Sequence, residues 1–392
     1  MDGGEVERLL AELVATPSVN PSLDPAAGQG EGAIAAFAAE WLRARGLHAE
    51  VEEVAPGRVN VHASGGTSGP DLCLCGHLDT VSFAGMPGDP VSARVEDGRL
   101  FGRGACDMKS GLAAAMVAAA ALVAAGAGSR PGPARRPARG RVSLALLADE
   151  EYMSIGADAY VARHHPDACI VTEPTGGNLV VAHKGFLWLE VLTRGRAAHG
   201  SRWDLGVSAI GRMGPVVTAL DRFDREVLRG RTAPLVGPAS MHCAVIHGGT
   251  GVSTYAEECR IQVERRLLPG EAAAAAAAEI RQVVLAACPE AEVRPYFDRL
   301  PLVGEGETPV ARAVRAAAVQ VAGAEPETAG VGYWTDAAVF AGAGIPAVIY
   351  GAAGVGAHEA VEWVHLESVV TLSHVLVEAA HRFWAQGGTA TP

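Results

Sequence analysis

The sequence predicts an α/β fold in which a smaller ferredoxin-like α+β module interrupts a larger domain. Three observations carry this. Apolar runs of strand length alternate with helical patterns, and several of them stop on histidine or carboxylate residues. Residues 186–297 follow the order strand, helix, strand, strand, helix, strand. Beyond residue 305 the alternation of helix and strand resumes and leads to His358, so the two flanks must fold together around the insertion.

Residues 5–15 and 31–45 have the apolar spacing of amphipathic helices and are separated by the turn-rich TPSVNPSLDP at 16–25. The run 71–76 (DLCLCG) suits a buried strand. Residues 91–101 alternate like a hairpin, with Asp97-Gly98 as its turn. Asp107 stands just ahead of the Ala-rich run 112–125, which is about 14 residues long against the roughly 20 of a spanning helix and reads as a buried core helix. Residues 126–140 (GAGSRPGPARRPARG) read as a mobile surface loop without chemistry. A strand at 141–148 (RVSLALLA) delivers Asp149, Glu150 and Glu151, and another at 168–172 delivers Glu173. After His183-Lys184-Gly185, strands are expected at 186–193, 239–247, 257–267 and 291–297, with helices at 206–228 and 271–287. A buried strand at 345–350 precedes His358. The larger domain is therefore 1–183 with 294–392, and the insertion is 184–293.

Composition excludes several classes. With 392 residues, 49% hydrophobic and only 19% charged, the chain is globular and long enough for two domains. A net charge of -12 argues against nucleic-acid or anionic-membrane partners, which reward clustered Lys and Arg. The seven cysteines form no CxxC pair, as expected of reduced, buried thiols in a cytoplasmic protein. The N-terminal MDGGEVERLL has neither the basic nor the apolar region of a secretion signal.

His77, Asp107, Glu150, Glu151, Glu173 and His358 form an ordered set of metal-ligand types, most of them just after a strand. Two imidazoles and several carboxylates suit a pair of divalent ions that polarise a carbonyl and activate a water. Asp79, two residues after His77, is placed to accept the second imidazole N–H and fix its orientation. Of the Glu150-Glu151 pair, one carboxylate can bind a metal and the other take a proton from the attacking water. Plainer readings exist. Asp107 could serve only as a helix cap, and Glu150-Glu151 could be a solvated turn. Cys73, Cys75 and Cys106 read as packing thiols, and His164-His165 as an exposed helix end. The glycines at 248, 249 and 251 lack the flanking strand, helix and Lys of a phosphate loop.

The motifs together resemble the two-zinc amidohydrolase and peptidase family of acetylornithine deacetylase, succinyl-diaminopimelate desuccinylase, aminoacylases and glutamate-releasing carboxypeptidases. The resemblance runs nearly end to end: TPSVNP, GHLDT, GRGACDMKSG, LLADEEY, VTEPT, the HKG entry, GRAAHGS, RRLLPGE, WTDAAVF, GIPAVIYG and AHEAVEWV. It implies a mixed-sheet zinc-peptidase catalytic domain with an inserted lid and dimerisation domain. Asp107 would bridge two ions, most simply zinc, with cobalt or manganese as substitutes. His77 and Glu173 would complete one site, Glu151 and His358 the other. Glu150 would be the general base, Asp79 would orient His77, and a cis peptide would join Asp107 to Met108. His199 would support the oxyanion in the partner subunit of a homodimer, and Arg266 would clamp the substrate carboxylate. Ser253 stands where relatives often carry a substrate-binding Asn, Ala256 where a Pro is common, and Ser110 where a Gly is frequent. The implied reaction is hydrolysis of the amide bond of a small N-acyl amino acid or short peptide-like substrate by a metal-activated water. The alternatives are a dipeptidase or carboxypeptidase, and, from another class, a non-catalytic metal-binding or carrier-recognition protein.

Overall fold

The computed structural model describes residues 3–26, 28–127, 140–304 and 306–387; most of the 126–140 loop therefore lies outside the described residues. The chain divides into two compact units. One comprises Met1–Val181, Gly304–Ala329 and Thr335–Pro392, the other Ala182–Val303 with Gly330–Trp334. The second thus extends past the 184–293 read from the pattern and gains a short return. Aromatic packing explains the return: the Trp334 ring lies 5.8 Å from Phe186 and 5.9 Å from His183.

In the first unit the sheet order is His48–Ala55, Arg58–Gly66, Arg141–Leu147, Asp71–His77, Ala168–Val171, Ala347–Ile349, Leu179–His183. The four strands from Arg141–Leu147 to Ala347–Ile349 run parallel, and the flanking pairings are antiparallel, so the sheet is mixed. Successive residues Leu72, Cys73, Leu74 and Cys75 are all fully buried, which means both faces of that strand are covered. Such strands read as continuous apolar runs rather than alternating ones. Each fully buried Leu or Ile here contributes about 1.5–3 kcal/mol of transfer free energy.

Register places the strand ends side by side. His77 pairs with Leu147, and Cys75 with Val171, so residues following the three strands emerge at one edge. Helix Lys109–Ala127 is apolar on every side and packs against helices Gly3–Ala15 and Leu366–Ala385. Its first turn approaches the sheet closely. A Cβ on Gly111 would fall 2.1 Å from the Thr172 carbonyl oxygen, so only glycine fits there. A smaller sheet, Gly354–Val355, Trp363–His365, Arg99–Phe101 and Arg94–Glu96, contains the hairpin expected at Asp97-Gly98.

In the second unit the antiparallel order is Ser240–Gly248, Glu258–Leu267, Gly185–Arg194, Glu292–Arg299. Helices Ala209–Glu226 and Ala273–Ala287 complete the ferredoxin-like pattern. Alternate residues of the central strands, among them Leu189, Val191, Ile261 and Val263, pack with Met213, Leu220 and Ile280 of the helices. Ser208 caps the first helix by accepting from Gly211 N–H at 3.0 Å.

Candidate metal centre

Three parallel strands and two loops of the first unit bring His77, Asp107, Glu150, Glu151, Glu173 and His358 together. His77 Nε2 is 3.1 Å from Asp107 Oδ1, 3.6 Å from Glu173 Oε1 and 3.9 Å from Glu150 Oε2. His358 Nε2 is 3.4 Å from Asp107 Oδ2 and 2.8 Å from Glu151 Oε2. The two oxygens of Asp107 thus face different imidazoles. Among the described residues, two groups reach coordination spacing: His77 with Glu150 and Glu173, and His77 with Asp107 and Glu151.

The donor set fits cations. Glu151 Oε1 is buried without a protein hydrogen-bond partner among the described residues. Burial, followed by the charges of Glu173, Asp336 and Glu151, pushes Glu150 well above the usual carboxylate range; burial and Asp107 do the same to Glu173. Hydrogen bonds to Asp107 and Glu151 lift His358 to about 10. For His77 the carboxylates Glu173, Asp107 and Glu150 overcome burial and raise it too. Buried carboxylates crowded in this way repel each other unless positive charge sits among them, and an oxygen and imidazole donor set suits divalent metals.

The Asp79 contact differs in detail from the one the spacing suggests. The His77 Nδ1–H donates to the Asp79 main-chain carbonyl at 2.8 Å, while the nearer carboxylate oxygen is 3.7 Å away. That bond still fixes the tautomer and leaves Nε2 facing the acids. The Asp79 carboxylate instead accepts from the backbone N–H of Glu150 and Glu151, at 3.1 and 3.2 Å, and from Asn20 Nδ2 at 2.7 Å. Asn20 also donates to Asp149 at 3.0 Å, and Arg58 pairs with both Asp149 and Glu31.

Asp107 is not a helix cap. The helix begins at Lys109, the Asp107–Met108 peptide is cis, and the carboxylate points at the two histidines. Its loop is held by Glu362, a residue that sequence reasoning left without a role. The carboxylate of Glu362 accepts from the N–H groups of Gly104, Cys106 and Asp107 and pairs with Arg103 at 2.7 Å. Asn20, Arg58 and Asp336 were likewise unassigned. Their only sequence signal was polarity within TPSVNP, a strand and WTDAAVF. His164 and His165 follow the end of helix Ile155–Val161; His165 is exposed, while His164 is half-buried and stacks on His62 with ring centroids 4.1 Å apart. All seven cysteines are free, and Cys73 and Cys75 are buried packing groups.

His199, Ser253 and Arg266 belong to the second unit. Gly200 N–H donates to the Ser253 carbonyl at 2.7 Å and Tyr255 N–H to Ala198 at 3.0 Å, so the loops of His199 and Ser253 are stitched together. His199 is exposed, and its ring bonds the Ser201 hydroxyl at 2.8 Å. Arg266 donates to Glu264 at 2.7 Å and lies over the Phe186 ring, whereas neighbouring Arg265 is buried and paired with Glu271.

Residues 73–382 match the model of peptidase family M20/M25/M40. An acetylornithine deacetylase from Myxococcus xanthus is 32% identical over 369 residues, covering 88% of this chain and 91% of that protein. The fold is shared with an M20 family metallo-carboxypeptidase from Sulfolobus solfataricus, at TM-score 0.80 and 18% identity over 98% of this chain and 100% of that one. A tripeptidase from Staphylococcus aureus gives TM-score 0.79 and 21% identity over 98% and 99%. The extent of the family match, together with a sequence relative that spans nearly the whole chain, shows that the protein belongs to peptidase family M20/M25/M40 and is a metal-dependent hydrolase of amide bonds.

Proposed function

We propose that the protein hydrolyses the amide bond of a small N-acyl amino acid, with two divalent ions, Glu150 as general base and Arg266 as the clamp on the substrate carboxylate. One observation supports the division of labour above all: of the adjacent pair, Glu150 lies 3.9 Å from His77 Nε2, whereas Glu151 makes its nearest imidazole contact, at 2.8 Å, with His358. His77, Glu173 and Asp107 would hold one ion, and Glu151, His358 and Asp107 the other. Bound there, the ions would polarise the scissile carbonyl and acidify a water. Glu150, 3.9 Å from His77 Nε2 beside the ion sites, would take that water's proton and return it to the leaving amine. Asp79 would hold His77 and the Glu150-Glu151 backbone in place. The planar guanidinium of Arg266 would grip a carboxylate in two-point fashion, and the Ser253 loop would border the substrate.

The likeness to an acetylornithine deacetylase supports an N-acyl amino acid over a peptide. The free cysteines support a reducing, cytoplasmic setting. A homodimer through the second unit would cover the edge strand Ser240–Gly248 and the exposed Trp203, Ile246 and Val252, and would bring His199 to a partner's site.

The test combines metal analysis with a panel of N-acetyl and N-succinyl amino acids and dipeptides. Zinc-dependent turnover highest on an N-acyl amino acid is expected. Faster turnover of dipeptides would replace this reading with a peptidase, and a metal-loaded protein inert to the whole panel would overturn it.

A further inference from the structure

We propose that the first unit carries a second binding site, distinct from the metal centre, for a small organic ammonium ligand. A cavity of about 1220 Å³ opens between the start of helix Gly3–Ala15, the Asp97-Gly98 turn, the loop 176–178, residues 324–327, Tyr350-Gly351 and the start of helix Leu366–Ala385. That is ample for a small molecule.

The charged side chains that line it among the described residues are all acidic. Among the described residues, Glu7, Asp97, Glu325, Glu327 and Glu367 line it, and no lysine or arginine does. Arg315 lies 3.5 Å from Glu325, but the other four carboxylates have no ion pair among the described residues. The remaining titratable groups on the wall are His365 and Tyr350.

Tyr350 supplies the independent observation. It is 4% exposed, lines the cavity, and its hydroxyl has no hydrogen-bond partner among the described residues. The ring is packed away while the hydroxyl is left to the cavity, where a ligand donor can meet it in place of water.

The layout selects the ligand class. The carboxylates are spread along the walls, and among the described residues no three of them converge as the acids around His77 do, so a bare metal ion lacks a coordination sphere. An alkyl ammonium fits better. Its N–H groups can meet carboxylates and the phenol oxygen, while its stem lies along Ala318, Ala322, Ala324 and Leu372. The occupant would also rest against the loop that carries Glu173: Gly176 N–H and Gly177 N–H donate to the carbonyls of Ala352 and Gly351, each at 3.0 Å.

Calorimetric titration of the full-length, zinc-loaded protein with 1,4-diaminobutane, and with butane-1,4-diol as its uncharged match, tests the site without relying on any substrate assignment. The diamine should bind saturably and the diol should not, with binding weakened by salt. The combined change Glu7→Gln, Asp97→Asn and Glu327→Gln, all at exposed positions, should weaken diamine binding at least ~10-fold, and Tyr350→Phe about 3–10-fold. Zinc content and the hydrolytic rate without amine should stay unchanged. Absence of saturable binding below about 10 mM, diol binding as tight as diamine binding, or unaltered affinity in both variants would each overturn the proposal.

Discussion

The backbone N–H of Asp107 donates to the carboxylate of Glu362 at 3.0 Å, joining two loops that are 255 positions apart in the chain. Glu362 is 1% exposed, and its other oxygen holds Arg103, itself 2% exposed. The carboxylate facing both histidines is therefore aimed by a buried ion pair that lies outside the cluster of candidate ligands.

Glu362→Ala should remove the acceptor for Gly104, Cys106 and Asp107 and leave the Arg103 charge buried alone. Breaking a buried pair on one side costs about 3–5 kcal/mol. Denaturant unfolding should show that loss. Glu362→Gln, which keeps one acceptor oxygen, should retain more stability but bind zinc roughly 10–100-fold more weakly in a chelator competition. Wild-type zinc affinity in both variants would separate Glu362 from the metal centre.

Glu150→Gln should keep the fold and the metal content while lowering turnover by about 10²–10⁴-fold, as expected for loss of a general base. Metal analysis decides between two roles, since Glu150 also stands at coordination spacing with His77 and Glu173. Loss of an ion would make it a ligand; a near wild-type rate would remove it from both roles.

Asp79→Asn changes an acceptor of backbone and Asn20 donors into a group that presents N–H to them. The His77 tautomer should survive, because the main-chain carbonyl holds it. Activity should fall about 10–100-fold through displacement of Glu150 and Glu151. If nuclear magnetic resonance showed an altered His77 tautomer instead, the carboxylate rather than the carbonyl would be the orienting group.

Burial, then the neighbouring His164, pushes His62 down to about 4. Its folded value lies below the unfolded one, near 6.5. The fold therefore favours the neutral ring: this contribution is complete above about 6.5 and is lost as pH falls towards 4. Stability measured across that window should decline in the wild type and less steeply in His62→Gln. Equal slopes would show that His62 is not the group involved.

His199→Ala should lower turnover about 10²–10³-fold with metal content unchanged, if its ring supports an oxyanion. Mixed with Glu150→Ala subunits, it should recover part of the activity, because one site of each hybrid dimer regains both residues. Confirmed subunit exchange without recovery, or a fully active monomer, would refute the assignment to a partner's site.

The sequence by itself determined the elements and the candidate ligands. Fully buried parallel strands leave unbroken apolar runs such as 71–76, and His77, Glu150, Glu151 and Glu173 follow them directly, so chain position alone revealed both. The ferredoxin-like order was equally local, a matter of period and turn. Tertiary structure decided what depends on distant chain segments meeting. Glu362 looked like one more polar residue until the loop 103–107 closed on it, and Asn20 became a bridge only when Asp79 and Asp149 came within its reach. The His77 bond to a carbonyl rather than a carboxylate was decided the same way, because a backbone oxygen carries no sequence signal. The cavity at Tyr350 likewise arises where both ends of the first unit meet, and no pattern within any one segment describes it. Period and propensity act over a few residues, whereas satisfying buried charge and hydrogen bonds is settled only by three-dimensional packing.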